Sequence, residues 1–524
     1  MHDKKDWLQT VAWWAMLAAI VVVVVSVCLP NTSLAWMRDN ISLFNRPMLW
    51  IENSNSPINL VHLILFVVFG ACIGVARPGW NASWALFAIA VFAIGSELVQ
   101  LVIPGRHPRI ADAVIDIVGA AVGLLLVHVT RVLVGRIVGP TTRAAAEDPG
   151  RETCIALLRG DQIDASTLVD LAPESLLDSA QREGVVSLIA ERLNAVHITS
   201  PAVEGHRQIF VEPTRRETAR NLWCQAQCRA ITSALGEAGI GALWMKGIAL
   251  SQWLYTRPNL RDLADIDLLL PDHATTLRAA EVLAPLGYAL PNPCIAGDLV
   301  VHELLAWSDR AQLELDLHWR LSNDVLFAER LQWQELRDSS VEVPALGTTA
   351  RGLAPVHALL HACMHRALNY LTGRESRLRW LYDIHLLATR LTSAEWEQLL
   401  THARNRELAN ACHDGLMATI TTFNTPVPDL VLHEFAAAAA SEWLECPRLR
   451  GWVYFQRAAW RSLPDTRTRM RWLRQLLFPD MAHLRVRYGA DGAGRVTILV
   501  RRLRDGVATL RRYGNSPVAG ETQK

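Results

Sequence analysis

The sequence predicts a multi-domain protein: an all-α bundle of four transmembrane spans, then an α+β core with a small mixed sheet and helical flanking regions. Three observations predict it. Four long apolar stretches fall before residue 136, strand-like and helix-like segments alternate between 241 and 322, and a lysine-glycine pair precedes two acidic segments within that alternation. At 524 residues the chain is long enough for more than one core.

The first apolar stretch, 8–29, carries no charge and includes the run Val21 to Val25. Crossing a hydrocarbon core takes about 20 residues. A cleaved signal peptide is the competing reading. Its apolar core is long for that role, and Val27 before Cys28 is a poor lipoprotein cleavage site, so a retained anchor is expected. Further spans are expected at 58–76, 84–103 and 111–134. Lys4, Lys5, Arg77, Arg136 and Arg143 fall on one side of this arrangement and Arg38, Arg46, Arg106 and Arg109 on the other. The positive-inside bias is slight, but it places both termini in the cytoplasm and the chain in the inner membrane as a multi-pass protein.

Spans three and four carry polar groups. Glu97 and Gln100 lie at i, i+3, Asp112 and Asp116 at i, i+4, and Arg106 sits in the Pro104-Gly105 turn between them. Ionisable groups inside a bilayer are functional candidates by default, and a self-neutralising cluster that fixes the hairpin is the alternative. Glu97-x-x-Gln100, Pro104-Gly105-Arg106, Asp112, the pair Gly119-x-x-x-Gly123 and the earlier Asn59-x-x-His62 resemble the VanZ-like membrane family over roughly residues 40 to 135. Asp116 departs from the asparagine that the family usually shows. The resemblance implies a cell-envelope role related to glycopeptide resistance and supplies no settled reaction. Gly119 and Gly123 read most simply as a close helix-packing face.

A linker is expected at 137–152, rich in Pro, Gly, Thr and Ala, followed by a helical flank at 153–240, a core at 241–322, a helical region at 323–490 and a basic amphipathic tail at 491–524. Within the flank, 174–196 reads as a helix pair and 215–238 as a longer helix. The core reads as strand 242–245, helix 248–255, strand 266–270, helix 274–286, and a hairpin of strands 300–306 and 312–320 around Ser308-Asp309.

The chemistry concentrates here. Asp265 and Asp267 alternate along a strand, so they share a face about 7 Å apart. Close carboxylates need a cation between them, and a third acidic strand, carrying Glu314 and Asp316, completes a clamp for two divalent ions. That combination suggests nucleotidyl transfer. Trp244-Met245-Lys246-Gly247, Arg261, Asp265 to Leu270, Gly287-Tyr288 and Glu314 to Trp319 resemble the uncharacterised nucleotidyltransferase family of the polymerase-beta-like superfamily. Gln181 to Val185 and Leu378 to Leu387 extend the resemblance, which covers about residues 155 to 490.

The resemblance implies Mg2+ held by Asp265, Asp267 and Asp316, with Glu314 second to Asp316, and a nucleoside triphosphate as substrate. Lys246-Gly247 replaces the usual Gly-Ser loop. Lys246 is expected to contact phosphate and Gly247 to let backbone approach the ligand. For Arg261 two readings stay open: neutralising the leaving pyrophosphate, or pairing with Asp262. The acceptor is not legible.

Formal net charge is +1, so bulk charge names no partner. Its distribution does. Sixteen arginines lie between Arg448 and Arg512 against Asp465, Asp480, Asp491 and Asp505, interleaved near the end with apolar residues. Beside a lipid bilayer, anionic headgroups are the expected partner and nucleic acid the disfavoured one. The nine cysteines form no C-x-x-C pair and are expected reduced. His357, His361 and His365 share a helix face, which reads as packing against the cleft before it reads as zinc. Two other functions remain open: a non-catalytic membrane scaffold that binds a ligand, and an envelope function residing in the membrane half.

Overall fold

The computed structural model describes residues 60–76, 89–95, 98–99, 110–137, 148–161, 165–196, 200–290, 295–489 and 494–513. The chain divides into two compact units, Met1–Thr141 and Thr142–Lys524.

In the first unit, helix α1 (Leu60–Ala76) packs along α2 (Ile110–Ile137). Small residues set the spacing. A Cβ on Gly123 would lie 2.1 Å from the Val67 carbonyl oxygen, and one on Gly119 would lie 2.8 Å from that of Leu63. Phe66, Phe69, Ile73, Ile89, Ala93 and Ala120 form the interior, while Val68, Val91, Ile94, Val118, Leu125 and Leu126 face outward. Among the described residues no helix is long and apolar enough to cross a membrane. The expected span 8–29 lies outside the described residues, as does most of 84–103.

The second unit opens on α3 (Pro149–Arg159). Asp148 caps it by accepting from the Arg151 N–H at 3.1 Å, and proline at N1 carries no donor to waste. The helix therefore takes the last residues of the expected linker. Helices α4 (Pro173–Glu183) and α5 (Val186–Ala195) join through Gly184, whose φ of +70° ends α4. Helix α6 spans Pro201–Glu237, far longer than the sequence reading, because it continues through Pro213. A proline ordinarily breaks a helix by losing one donor and crowding the preceding turn. Packing along α6, with Phe210 and Val203 fully buried, outweighs that loss.

The sheet contains β1 (Leu243–Met245), β2 (Ile266–Leu269), β3 (Glu303–Ser308), β4 (Leu313–His318), β5 (Val341–Glu342) and β6 (Arg351–Gly352), in spatial order β3-β4-β2-β1-β6-β5. It is mixed: β2 runs parallel to β4 and β1 parallel to β6, and the other pairs are antiparallel. Helix α7 (Lys246–Trp253) leaves β1 directly and α8 (His273–Leu283) follows β2. Strands β5 and β6 were not predicted, since two residues are too few to show alternation.

Alternation splits the sheet between two cores. Trp244, Ile266, Leu268 and Leu270 pack toward α6 and α8. Leu243, Met245 and Leu269 face a helical body that includes α9 (Pro355–Leu368), α10 (Leu378–Arg390), α11 (Ser393–Asn405) and α12 (Ala409–Phe423). Toward the C-terminus follow α13 (Thr466–Leu477), α14 (Met481–Tyr488) and α15 (Arg495–Tyr513).

Candidate functional site

Asp267 shares the parity of Leu269 and Met245, so it points from the sheet toward the helical body. Its neighbours are set by register: Met245 on β1 and Asp316 on β4 stand directly beside it. Lys246 follows Met245, and its ammonium bonds Asp267 Oδ1. His318 Nε2 lies 3.0 Å from the same oxygen, and His318 Nδ1 lies 3.4 Å from Glu303 Oε2.

Asp267 is buried, which alone would raise its pKa. Lys246 and His318 outweigh burial and hold the carboxyl well below the ordinary carboxylate range. Asp316 goes the other way. Burial, then the Asp267 and Glu303 charges, push it up to about 8. Asp316 Oδ1 is a buried oxygen with no hydrogen-bond partner among the described residues.

Donor atoms of Asp267, Asp316 and His318 all lie within 4.8 Å of one another. Two carboxylates, one with an orphaned buried oxygen and a raised pKa, fit a divalent cation. The set differs from the predicted one. His318 joins it, while Asp265 sits half-buried just before β2 and Glu314 is partly exposed on β4, both outside that tight group. Strand alternation puts His318 on the face of Glu314 and Asp316, but alternation gives it no partner; the register of β2 against β4 does.

Lys246 has a φ of +51°, an uncommon conformation for a residue with a side chain. Gly247 turns out to be small for a packing reason. A Cβ there would come within 3.2 Å of Leu263 Cδ2 and 3.3 Å of the Arg261 guanidinium carbon. Arg261 lines the cleft beside Lys246 and does not pair with the Asp262 carboxylate. Its Nε and Nη2 reach Asp383 of α10 at 2.9 and 2.7 Å, and its Nη1 donates to the Asp262 carbonyl at 2.6 Å. The Asp262 carboxylate instead accepts from the Val186 N–H at 2.6 Å, at the start of α5.

An open cleft lies beside Lys246 and Asp265, walled by Trp253, Arg261, His361, His365, Arg379 and Trp380 among others. Arg379 is pushed down to about 10 by burial and by Arg261 and Arg377, and its Nε is buried without an acceptor among the described residues. The motif Gln181 to Val185 seats it: Glu183 accepts from the Leu378 N–H at 2.7 Å, and Gly184 leaves room for the Arg379 side chain. Burial, with Lys246 adding, pushes His361 down to about 3.

The three histidines of α9 do not converge on one ion. His361 and His365 line the cleft, while His357 Nε2 turns to Glu335 Oε1 at 3.1 Å. Glu335, His357 and His402 form a second group with metal-ligand spacing, but Arg406 already holds both Glu335 oxygens at 2.7 Å. In the first unit Asp116 is fully buried and Asp112 half-buried, whereas Glu97, Gln100 and Arg106 lie outside the described residues.

Comparison with known proteins gives two family matches. Residues 170–424 match the family model described as uncharacterised nucleotidyltransferase, and residues 13–131 match VanZ/LLP1. No curated protein and no solved structure matches the chain.

Proposed function

We propose that this chain, which joins a VanZ/LLP1 segment to a nucleotidyltransferase-family segment, is a membrane-anchored enzyme that transfers a nucleoside monophosphate from a triphosphate to an acceptor, releasing pyrophosphate. The observation that carries the reading is the register of β1, β2 and β4, which sets Asp267 beside Asp316 and next to Lys246, the residue that also lines the cleft. Asp267 and Asp316, with Asp265 at the cleft mouth, would hold Mg2+. A divalent ion there supplies charge neutralisation on the transferring phosphate.

The chain's own groups do the rest. Lys246 binds phosphate as a point charge, Asp316 accepts the proton of an acceptor hydroxyl, and Arg261 braces the loop through Asp383. The VanZ/LLP1 match and the outward apolar residues of the first unit support membrane association; a multi-pass inner-membrane location with both termini cytoplasmic is the reading of the sequence's charge distribution. The acceptor is an envelope or exopolysaccharide precursor on this reading.

The test is Asp267→Asn in the full chain, with labelled triphosphates and pyrophosphate release as the readout. Loss of release is expected in a variant that still folds, with a lowered thermal transition because Lys246 and His318 lose their charged partner; full release in the variant overturns the proposal. A second reading, a binding scaffold without turnover, draws on the hold of Lys246 and His318 on Asp267. Triphosphate binding by the native chain with no pyrophosphate formed would favour it.

A further inference from the structure

We propose that the exposed face of α13 docks on an anionic lipid surface and sets how the sheet-bearing unit meets the bilayer. Arg467, Met470, Arg471, Arg474 and Leu477 recur at helical spacing along one face, and Phe478 continues it. All six are exposed, Met470 by 54%, Leu477 by 56% and Phe478 by 72%. The opposite face is spent on the core, where Trp472 is buried and Leu473 and Leu476 pack. Large apolar side chains in water, set among cations on a single helix face, match the boundary between headgroups and acyl chains.

The neighbouring surface agrees in character. Arg485, Val486 and Arg487 of α14 are exposed, as are Leu499 and Val500 of α15. The acids beside the face are engaged: Asp465 and Asp480 accept from the first N–H groups of α13 and α14, and Asp298 pairs with Arg471, leaving Arg467 and Arg474, among the described residues of this face, as the cations free to meet headgroups. A nucleic acid would use the arginines but has no need of Met470, Leu477 and Phe478 together, so lipid is the better fit.

The patch is tied to the sheet-bearing unit. Arg471 pairs with Asp298, and Gln475 both donates to Asp298 Oδ1 at 2.7 Å and accepts from the Leu299 N–H at 3.0 Å, just ahead of β3. Docking of α13 therefore orients β3 and β4 as well. This inference does not depend on nucleotidyl transfer.

The experiment places Phe478→Cys in the full chain, labels it with a polarity-sensitive fluorophore, and reconstitutes it in nanodiscs of phosphatidylcholine alone or mixed with phosphatidylglycerol. Signal from the chain lacking that substitution is subtracted. A blue shift is expected only with the anionic lipid, weakened by salt. Leu430→Cys, equally exposed on another helix, is the control and should not shift. Arg467→Glu with Arg474→Glu should abolish the Phe478→Cys shift, and the milder Arg467→Gln with Arg474→Gln should reduce it. The proposal fails if the shift is the same in both lipids, if the control matches it, if charge reversal leaves it intact, or if an oligonucleotide added to neutral discs produces it.

Discussion

Asp383 grips the Arg261 guanidinium from across the cleft, Nε to Oδ1 at 2.9 Å and Nη2 to Oδ2 at 2.7 Å, with both side chains buried. Tyr255 adds its hydroxyl to the same carboxylate at 2.7 Å. Removing one partner leaves the other charge buried and unpaired, at a cost of about 3–5 kcal/mol. Arg261→Ala is thus expected to lower the chemical-denaturation midpoint of the full chain. Arg261→Lys should not restore it, because an ammonium cannot make the two-pronged contact.

Asp316 gives a pH prediction. Its folded pKa of about 8 stands above the ordinary 3.8, so the folded chain holds the extra proton between those values. Stability from this group therefore falls as pH rises through that window. A divalent cation displaces the proton, so added Mg2+ or Mn2+ should raise the melting temperature more at pH 8 than at pH 5. Calorimetry in buffers of different ionisation enthalpy should show proton release near neutrality. Asp316→Asn should abolish both effects.

Gly184 is constrained twice. Its φ is +70°, and an added Cβ would sit 3.0 Å from Arg379 Cδ. Gly184→Ala is expected to cost about 1–2 kcal/mol and to displace Arg379 from the cleft. Denaturation curves measure the first effect, and weakened triphosphate binding in the folded variant measures the second.

In the first unit, Gly123→Ala would drive a methyl into the Val67 carbonyl, 2.1 Å away. The helices α1 and α2 must then separate. A lowered melting temperature of the detergent-solubilised chain, with Gly95→Ala as a control that meets nothing within 4 Å, checks it.

Much of the candidate site was legible because strand alternation is a strong signal over Asp265 to Leu270 and Leu313 to Trp319. What alternation cannot supply is which strands are neighbours, so the pairing of Asp267 with His318 was not foreseen. Arg261 illustrates the same gap: a local reading offers Asp262, whereas the real partner, Asp383, lies 122 residues away. The sequence reading began α6 at 215, whereas the helix runs from Pro201 through Pro213, a continuation that depends on packing with distant segments rather than on local propensity.

The parity of β2 has one more consequence. Ile266 and Leu268 anchor one core while Asp267 and Leu269 face the other. A one-residue slip of this strand in its register would swap the two sets, driving an acid into a dry interior and aliphatic groups into the acidic pocket. Such a slip could not disarm the pocket and spare the fold.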